Sequence, residues 1–68
     1  MQKGTQVKWK WGQGTAEGKV SETFDRKVTR TLDGSEITRN GTSDNPALLI
    51  RQEDGSEVLK LSSEVDRA

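Results

Sequence analysis

Three features of the chain predict an all-β fold, a small five-stranded barrel with one short helical turn near the C-terminus. Val7-Lys8-Trp9-Lys10-Trp11-Gly12 alternates strictly between apolar and polar residues, and it holds both tryptophans. Two Asp-Gly dipeptides, Asp33-Gly34 and Asp54-Gly55, each stand between two short runs of strand-forming residues. Finally, 68 residues without cysteine or histidine have no disulfide and none of the usual zinc or haem ligands to brace them, so packed side chains must do it. A chain this short buries only roughly 60% of its unfolded surface. A flat sheet of that size would leave one face wet and its edges open, and closure into a barrel removes both problems.

The elements follow in order. Residues 1–4 read as a disordered lead-in, residues 5–65 as the barrel and residues 66–68 as a tail. Period-two alternation puts Val7, Trp9 and Trp11 on the core face of the first strand and Lys8 and Lys10 on the solvent face. Residues 12–18 carry three glycines and read as an irregular turn that admits positive φ. A glycine-rich loop that cradles phosphate needs a helix after it, whereas residues 19–24 alternate like a second strand. Asp25-Arg26-Lys27 marks a bend.

Asp33-Gly34 suits a two-residue hairpin loop, because both positions tolerate positive φ. The register then pairs Leu32 with Ser35, Arg30 with Ile37 and Val28 with Arg39, sending Val28, Leu32 and Ile37 to the core. Residues 40–46 are the longest run of turn formers, and Pro46 holds Asn45 extended. Asn40-Gly41-Thr42 matches a glycosylation sequon, which without a secretory signal is read as accidental. A two-residue loop at Asp54-Gly55 sets Ile50 opposite Leu59 and Leu48 opposite Leu61, four aliphatic side chains on one face. Ser62-Ser63-Glu64-Val65 starts a helical turn, with a serine hydroxyl as cap, Glu64 near its positive end and Val65 as a plug.

Composition narrows the function. Acidic and basic residues balance at eleven each. The first 34 residues carry a net +3 and the last 34 a net −3, and a barrel interleaves them, so the whole-molecule field steers weakly toward nucleic acid or membrane. No stretch is apolar enough to span a membrane, and the N-terminus lacks a signal peptide's apolar core, which points to a cytoplasmic protein.

The series Lys3-Gly4, Val7 through Gly12, Gly18-Lys19-Val20, Val28-Thr29-Arg30-Thr31, Thr38-Arg39-Asn40-Gly41, Asp44-Asn45-Pro46-Ala47, Leu49-Ile50 and Gln52-Glu53-Asp54-Gly55 to Val58-Leu59-Lys60 resembles a known family over nearly the whole chain. It is the group of small bacterial and fungal proteins called the hypervirulence-associated Tudor domain, formerly a domain of unknown function. The resemblance implies a Tudor-like, SH3-like barrel and no particular reaction. Where many relatives carry an aromatic residue, this chain has Leu48.

Four site readings follow. Tudor-like domains often hold methylated Lys or Arg in a cage of aromatic rings, and Trp9, Trp11 and Phe24 are the three rings here, at least one of them needed by the core. Small barrels also bind nucleic acid through basic side chains and stacked aromatics; Lys8, Lys10 and Lys19 are the candidates, together with Arg30 and Arg39, with Trp11 as the ring. A polar recognition rim beside Trp11 would comprise Arg30, Arg39, Asn40 and Asp44, unless Arg39 merely pairs with Asp44 and Asp44 and Asn45 form Asx turns. No spacing sets up a catalytic pair without His or Cys, and no metal or cofactor is implied. The expectation is a non-enzymatic module that binds a protein or peptide segment through a strand edge or the Trp11 rim, with weak nucleic-acid binding as the alternative.

Overall fold

A computed structural model describes residues 2–32 and 34–68. The chain is all-β as expected, with strands β1 (Gln6–Trp11), β2 (Gly14–Phe24), β3 (Lys27–Leu32), β4 (Ser35–Asn40), β5 (Ala47–Arg51), β6 (Glu57–Leu61) and β7 (Asp66–Arg67), and a 3-10 turn at Ser62–Glu64. Among the described residues there are therefore seven strands rather than five. Five of them form an antiparallel sheet in the order β6-β5-β2-β1-β7, and β3 and β4 form a separate two-stranded ribbon. Among the described residues no ladder joins the sheet's two edges or ties the ribbon to it, so the hydrogen-bonded closure of a barrel is not seen. The ribbon packs through β4 beside β6.

β1 has the expected face: Val7 and Trp9 are buried while Lys8 and Lys10 are exposed. The turn after it is tighter than the glycine count suggested. Trp11 pairs with Gly14 across a two-residue loop, Gly12 and Gln13, and Gly12 takes the positive φ of 49° that such a loop requires. Residues 14–18, expected within the turn, instead begin the 11-residue β2.

β2 serves two partners. Its first part pairs with β1, its last part with β5, and the register slips by one residue between Val20 and Glu22. That bulge decides the core. Val20 lies opposite Ile50, whereas Phe24 lies opposite Ala47; without the extra residue, Phe24 would share the Val20 face, because strand side chains alternate. The result is two small apolar clusters on opposite faces of β5. One holds Val7, Trp9, Val20, Leu48, Ile50 and Val65. The other holds Phe24, Ala47, Leu49 and Leu59, covered by Val28, Leu32, Ile37 and Leu61.

The β3–β4 register matches the sequence reading pair for pair, Val28 with Arg39, Arg30 with Ile37 and Leu32 with Ser35. Gly34 has φ 78°, and Asp33 lies outside the described residues. The β5–β6 hairpin differs. Leu49 pairs with Leu59 and Ile50 with Val58, one residue away from the expected register, so Leu48, Ile50, Leu59 and Leu61 do not share a face. The loop has three residues, not two: the Gly55 amide donates to the Gln52 carbonyl at 3.0 Å, and Gly55 adopts φ 88°, a type I turn followed by a left-handed glycine. Asp54 Oδ1 accepts from the Ser56 amide at 3.0 Å and from the Ser56 hydroxyl at 2.6 Å, so its carboxyl is held below its ordinary value of 3.8.

Both chain ends are tied in. Gly4, expected in the disordered lead-in, donates to the Val20 carbonyl at 2.7 Å, and Met1 lies outside the described residues. The expected tail supplies β7: Asp66 pairs with Lys8 and Arg67 with Val7, and the Ala68 amide donates to the Gln6 carbonyl at 3.0 Å. The 3-10 turn is capped by no serine hydroxyl. Ser62 donates its amide to the Pro46 carbonyl at 2.8 Å, Ser63 donates to Asn45 Oδ1 at 2.9 Å, and Glu64 Oε1 accepts from the Leu61 amide at 2.7 Å. Val65 is buried, packed with Val7, Trp9, Val20, Leu48 and Ile50.

Candidate functional site

Trp11 ends the alternating run of β1 at the tip of the first hairpin. It is 63% exposed, the one large apolar residue so exposed among those described, against 6% for Trp9 two positions earlier. Its ring lies over its cross-strand partner Gly14: a Cβ built there would sit 3.8 Å from indole Nε1. An aromatic ring resting on a paired glycine is supported on one side, which leaves the rest of the indole open.

The edge of β1 beside Trp11 is unpaired. In an antiparallel strand the N–H and C=O of one residue point to the same side, and successive residues alternate. Gln6 accepts from Ala68 on the β7 side, and Lys8 pairs with Asp66 there; Thr5 accepts from Val20 on the β2 side. Lys10 therefore directs its backbone donor and acceptor to the β7 side. Among the described residues no strand pairs with Lys10 there; the chain passes that end of the edge as the 3-10 turn Ser62–Glu64 and the extended Val65 that lead into β7.

Lys8, Lys10 and Lys19 are exposed on the outer face of the sheet. Cross-strand partners share a face, and this places Glu17 and Asp66 on either side of Lys8, with Thr15 beside Lys10 and Arg51 beside Lys19. Arg51 in turn lies 3.7 Å from Glu57. Acids thus alternate with bases over this face. A surface hollow of about 150 Å³ is lined by Lys8, Trp9, Lys10, Thr15 and Asp66.

The remaining rim candidates gather around the far end of β2. Arg30 stands over the Phe24 ring with its guanidinium carbon 5.2 Å from the centroid, and Nη2 lies 3.8 Å from Glu22 Oε2. Arg26, which the sequence reading treated only as part of a bend, covers the same ring at 5.6 Å. Two cations on one nearly buried phenyl ring form a closed packing arrangement. Arg39 does not pair with Asp44. Its Nε lies 3.4 Å from Glu64 Oε1, and Nη1 donates to the Thr38 carbonyl at 3.1 Å. Asn40 and Asp44 are exposed. Asn45 forms no Asx turn with its side chain, which instead bridges to Ser63, while Thr42 Oγ1 accepts the Asn45 amide at 3.0 Å. Nothing in the sequence pattern marked the Asn45–Ser63 bridge or the Arg39–Glu64 pair.

The three aromatic rings do not converge. Trp9 lies in one apolar cluster, Phe24 in the other, and Trp11 outside both. Among the described residues no group of three or more acids, histidines or cysteines is placed to hold a metal ion, and no helix is long and apolar enough to cross a membrane.

Residues 4–65 match the family model described as Hypervirulence associated proteins TUDOR domain. No curated protein and no solved structure matches the chain.

Proposed function

The chain belongs to the hypervirulence-associated TUDOR-domain family, and on that footing we propose that it is a non-enzymatic interaction module that binds a protein or peptide segment in extended form. The observation that carries this reading is Trp11, an exposed indole supported on Gly14 at the end of a strand whose own edge is open. A strand edge accepts an extended peptide by continuing the ladder, and neighbouring side chains then supply selectivity. We further propose an SH3-like arrangement for the main sheet. Its order β6-β5-β2-β1-β7, the bent β2 and the 3-10 turn before the last strand support it.

Of the candidate ligand set Trp11, Arg30, Arg39, Asn40 and Asp44, the reading rests on Trp11. Arg30 and Arg39 already have partners in Glu22, Phe24 and Glu64. For the nucleic-acid alternative, Lys8, Lys10 and Lys19 supply charge, but Glu17 and Asp66 flank Lys8 and reduce the local field that phosphate binding depends on.

An NMR amide-shift titration distinguishes the two. Labelled protein is titrated with a pool of short extended peptides and with single-stranded and duplex oligonucleotides, each at low and at physiological salt. Peptide-induced shifts around Trp11 that survive physiological salt are expected. Shifts only with oligonucleotides, lost as salt rises, would transfer the function to phosphate binding.

A further inference from the structure

We propose that Asn40–Gly41 is a self-modification site gated by the fold: inert while the β3–β4 ribbon is docked, and converted to isoaspartate, which bars redocking, once the ribbon opens. It stands independently of the peptide-binding reading. In an Asn-Gly step the glycine nitrogen attacks the side-chain carbonyl carbon of the asparagine. The new N–C bond closes a cyclic imide, and ammonia leaves with the electron pair of the broken bond and the proton the glycine nitrogen gives up. Water then opens the ring. Opening at the side-chain carbonyl gives aspartate, whereas opening at the main-chain carbonyl leaves the chain running through the side chain, as isoaspartate.

Packing demands the glycine. Gly41 is buried, and a Cβ built on it would collide with the Phe24 carbonyl oxygen and lie 2.8 Å from the Ala47 nitrogen and 3.0 Å from the Arg26 carbonyl oxygen. The docked ribbon also blocks the reaction. The Gly41 amide donates to the Arg26 carbonyl at 3.2 Å, which engages the attacking nitrogen, and Asn40, extended at the end of β4, holds its side-chain carbonyl away from that nitrogen. The asparagine, by contrast, is exposed, and the ladder uses only its backbone, opposite Lys27. The two products then behave differently. Aspartate keeps the main chain and sets a carboxylate across from Lys27, a favourable cross-strand pair. Isoaspartate adds a methylene to the main chain beside Gly41, where backbone from Phe24, Arg26 and Ala47 leaves no room for another heavy atom. Val28, Leu32 and Ile37 then cannot reseat over Phe24, Leu49 and Leu59. An opening long enough for the ring to close removes the molecule irreversibly, so its working lifetime follows how often the ribbon opens.

The test incubates the protein at mildly alkaline pH, folded in buffer and unfolded in urea. Peptide mass spectrometry follows the loss of ammonia at Asn40, and fragmentation separates aspartate from isoaspartate. Conversion is expected to be at least about tenfold slower in the folded protein, since only the opened fraction reacts. After urea is removed, chains with asparagine or aspartate at position 40 should refold, whereas isoaspartate chains should keep the ribbon undocked, with the Gly41 amide unprotected and the Phe24 ring signals shifted. Asn40→Asp should fold with the parent's urea midpoint. Asn40→Gln, whose longer side chain closes such a ring far more slowly, should refold fully after the same incubation. Equal conversion rates in the folded and unfolded protein would remove the gate. Isoaspartate chains that refold with the parent's midpoint, or an Asn40→Asp variant that does not fold, would remove the isoaspartate block. A refolding loss that persists in Asn40→Gln would assign the damage to the Asp-Gly steps elsewhere in the chain and overturn the site.

Discussion

Trp9 and Trp11 are two residues apart on one strand face and have opposite roles. Trp9 packs with Val7, Val20, Leu48, Ile50 and Val65, so Trp9→Ala should cost about 3–5 kcal/mol, enough to unfold so small a domain on thermal or urea denaturation. Trp11→Ala removes an exposed ring and should change stability by no more than about 0.5 kcal/mol, while abolishing the peptide shifts. The alternation made the shared face legible; that the core stops between the two rings depends on where β7 and the 3-10 turn end, which the alternation does not encode. Asp54 offers a test in acid. Its carboxylate accepts two bonds from Ser56 and is held below 3.8, so its support for the loop is complete above that value and is lost as pH falls through the lower folded one. A carboxyl titration by NMR should show a midpoint below 3.8 tracked by the Ser56 amide, and a midpoint at or above the ordinary value would remove the bond pair.

The elements show which turns a sequence specifies. The β3–β4 register was legible because Val28, Leu32 and Ile37 are apolar among polar neighbours, and a slip would turn them outward. The β5–β6 register was not. Ala47-Leu48-Leu49-Ile50 is apolar throughout and buried on both faces, so a one-residue slip leaves the pattern unchanged, and Asp54-Gly55 suits either a two-residue loop or the last two positions of a three-residue loop. The bulge in β2 leaves no mark in an alternating run, and β7 is exposed on both sides, hence indistinguishable from a tail. Close approach tests this layout. A Cβ on Gly18 would lie 2.7 Å from the Arg51 carbonyl oxygen and from Ile50 Cγ2, so Gly18→Val should force β5 away from β2 and cost about 1–3 kcal/mol or more. Asn45→Ala removes both bonds to Ser63 and should cost about 1–2 kcal/mol by urea denaturation, loosening the 3-10 turn that leads into β7.

Taken whole, the molecule divides a thin core in two and leaves its charge on the surface. The three ion pairs among the described residues, Arg30–Glu22, Arg39–Glu64 and Arg51–Glu57, are all at least partly exposed, so raising salt from low to high should alter unfolding free energy by less than about 1 kcal/mol. The candidate site was partly legible. Trp11 and the lysine row could be read from the alternation, whereas the open edge at Lys10 follows from the length of a strand that looked like a tail. Amide hydrogen exchange of the free protein tests that edge most directly. The Lys8 amide, facing β7, and the Trp9 and Trp11 amides, facing β2, should be protected, while the Lys10 amide between them exchanges near the rate of an unstructured chain. A protected Lys10 amide would mean that the edge is already covered, and the peptide-binding reading would lose the open edge it rests on.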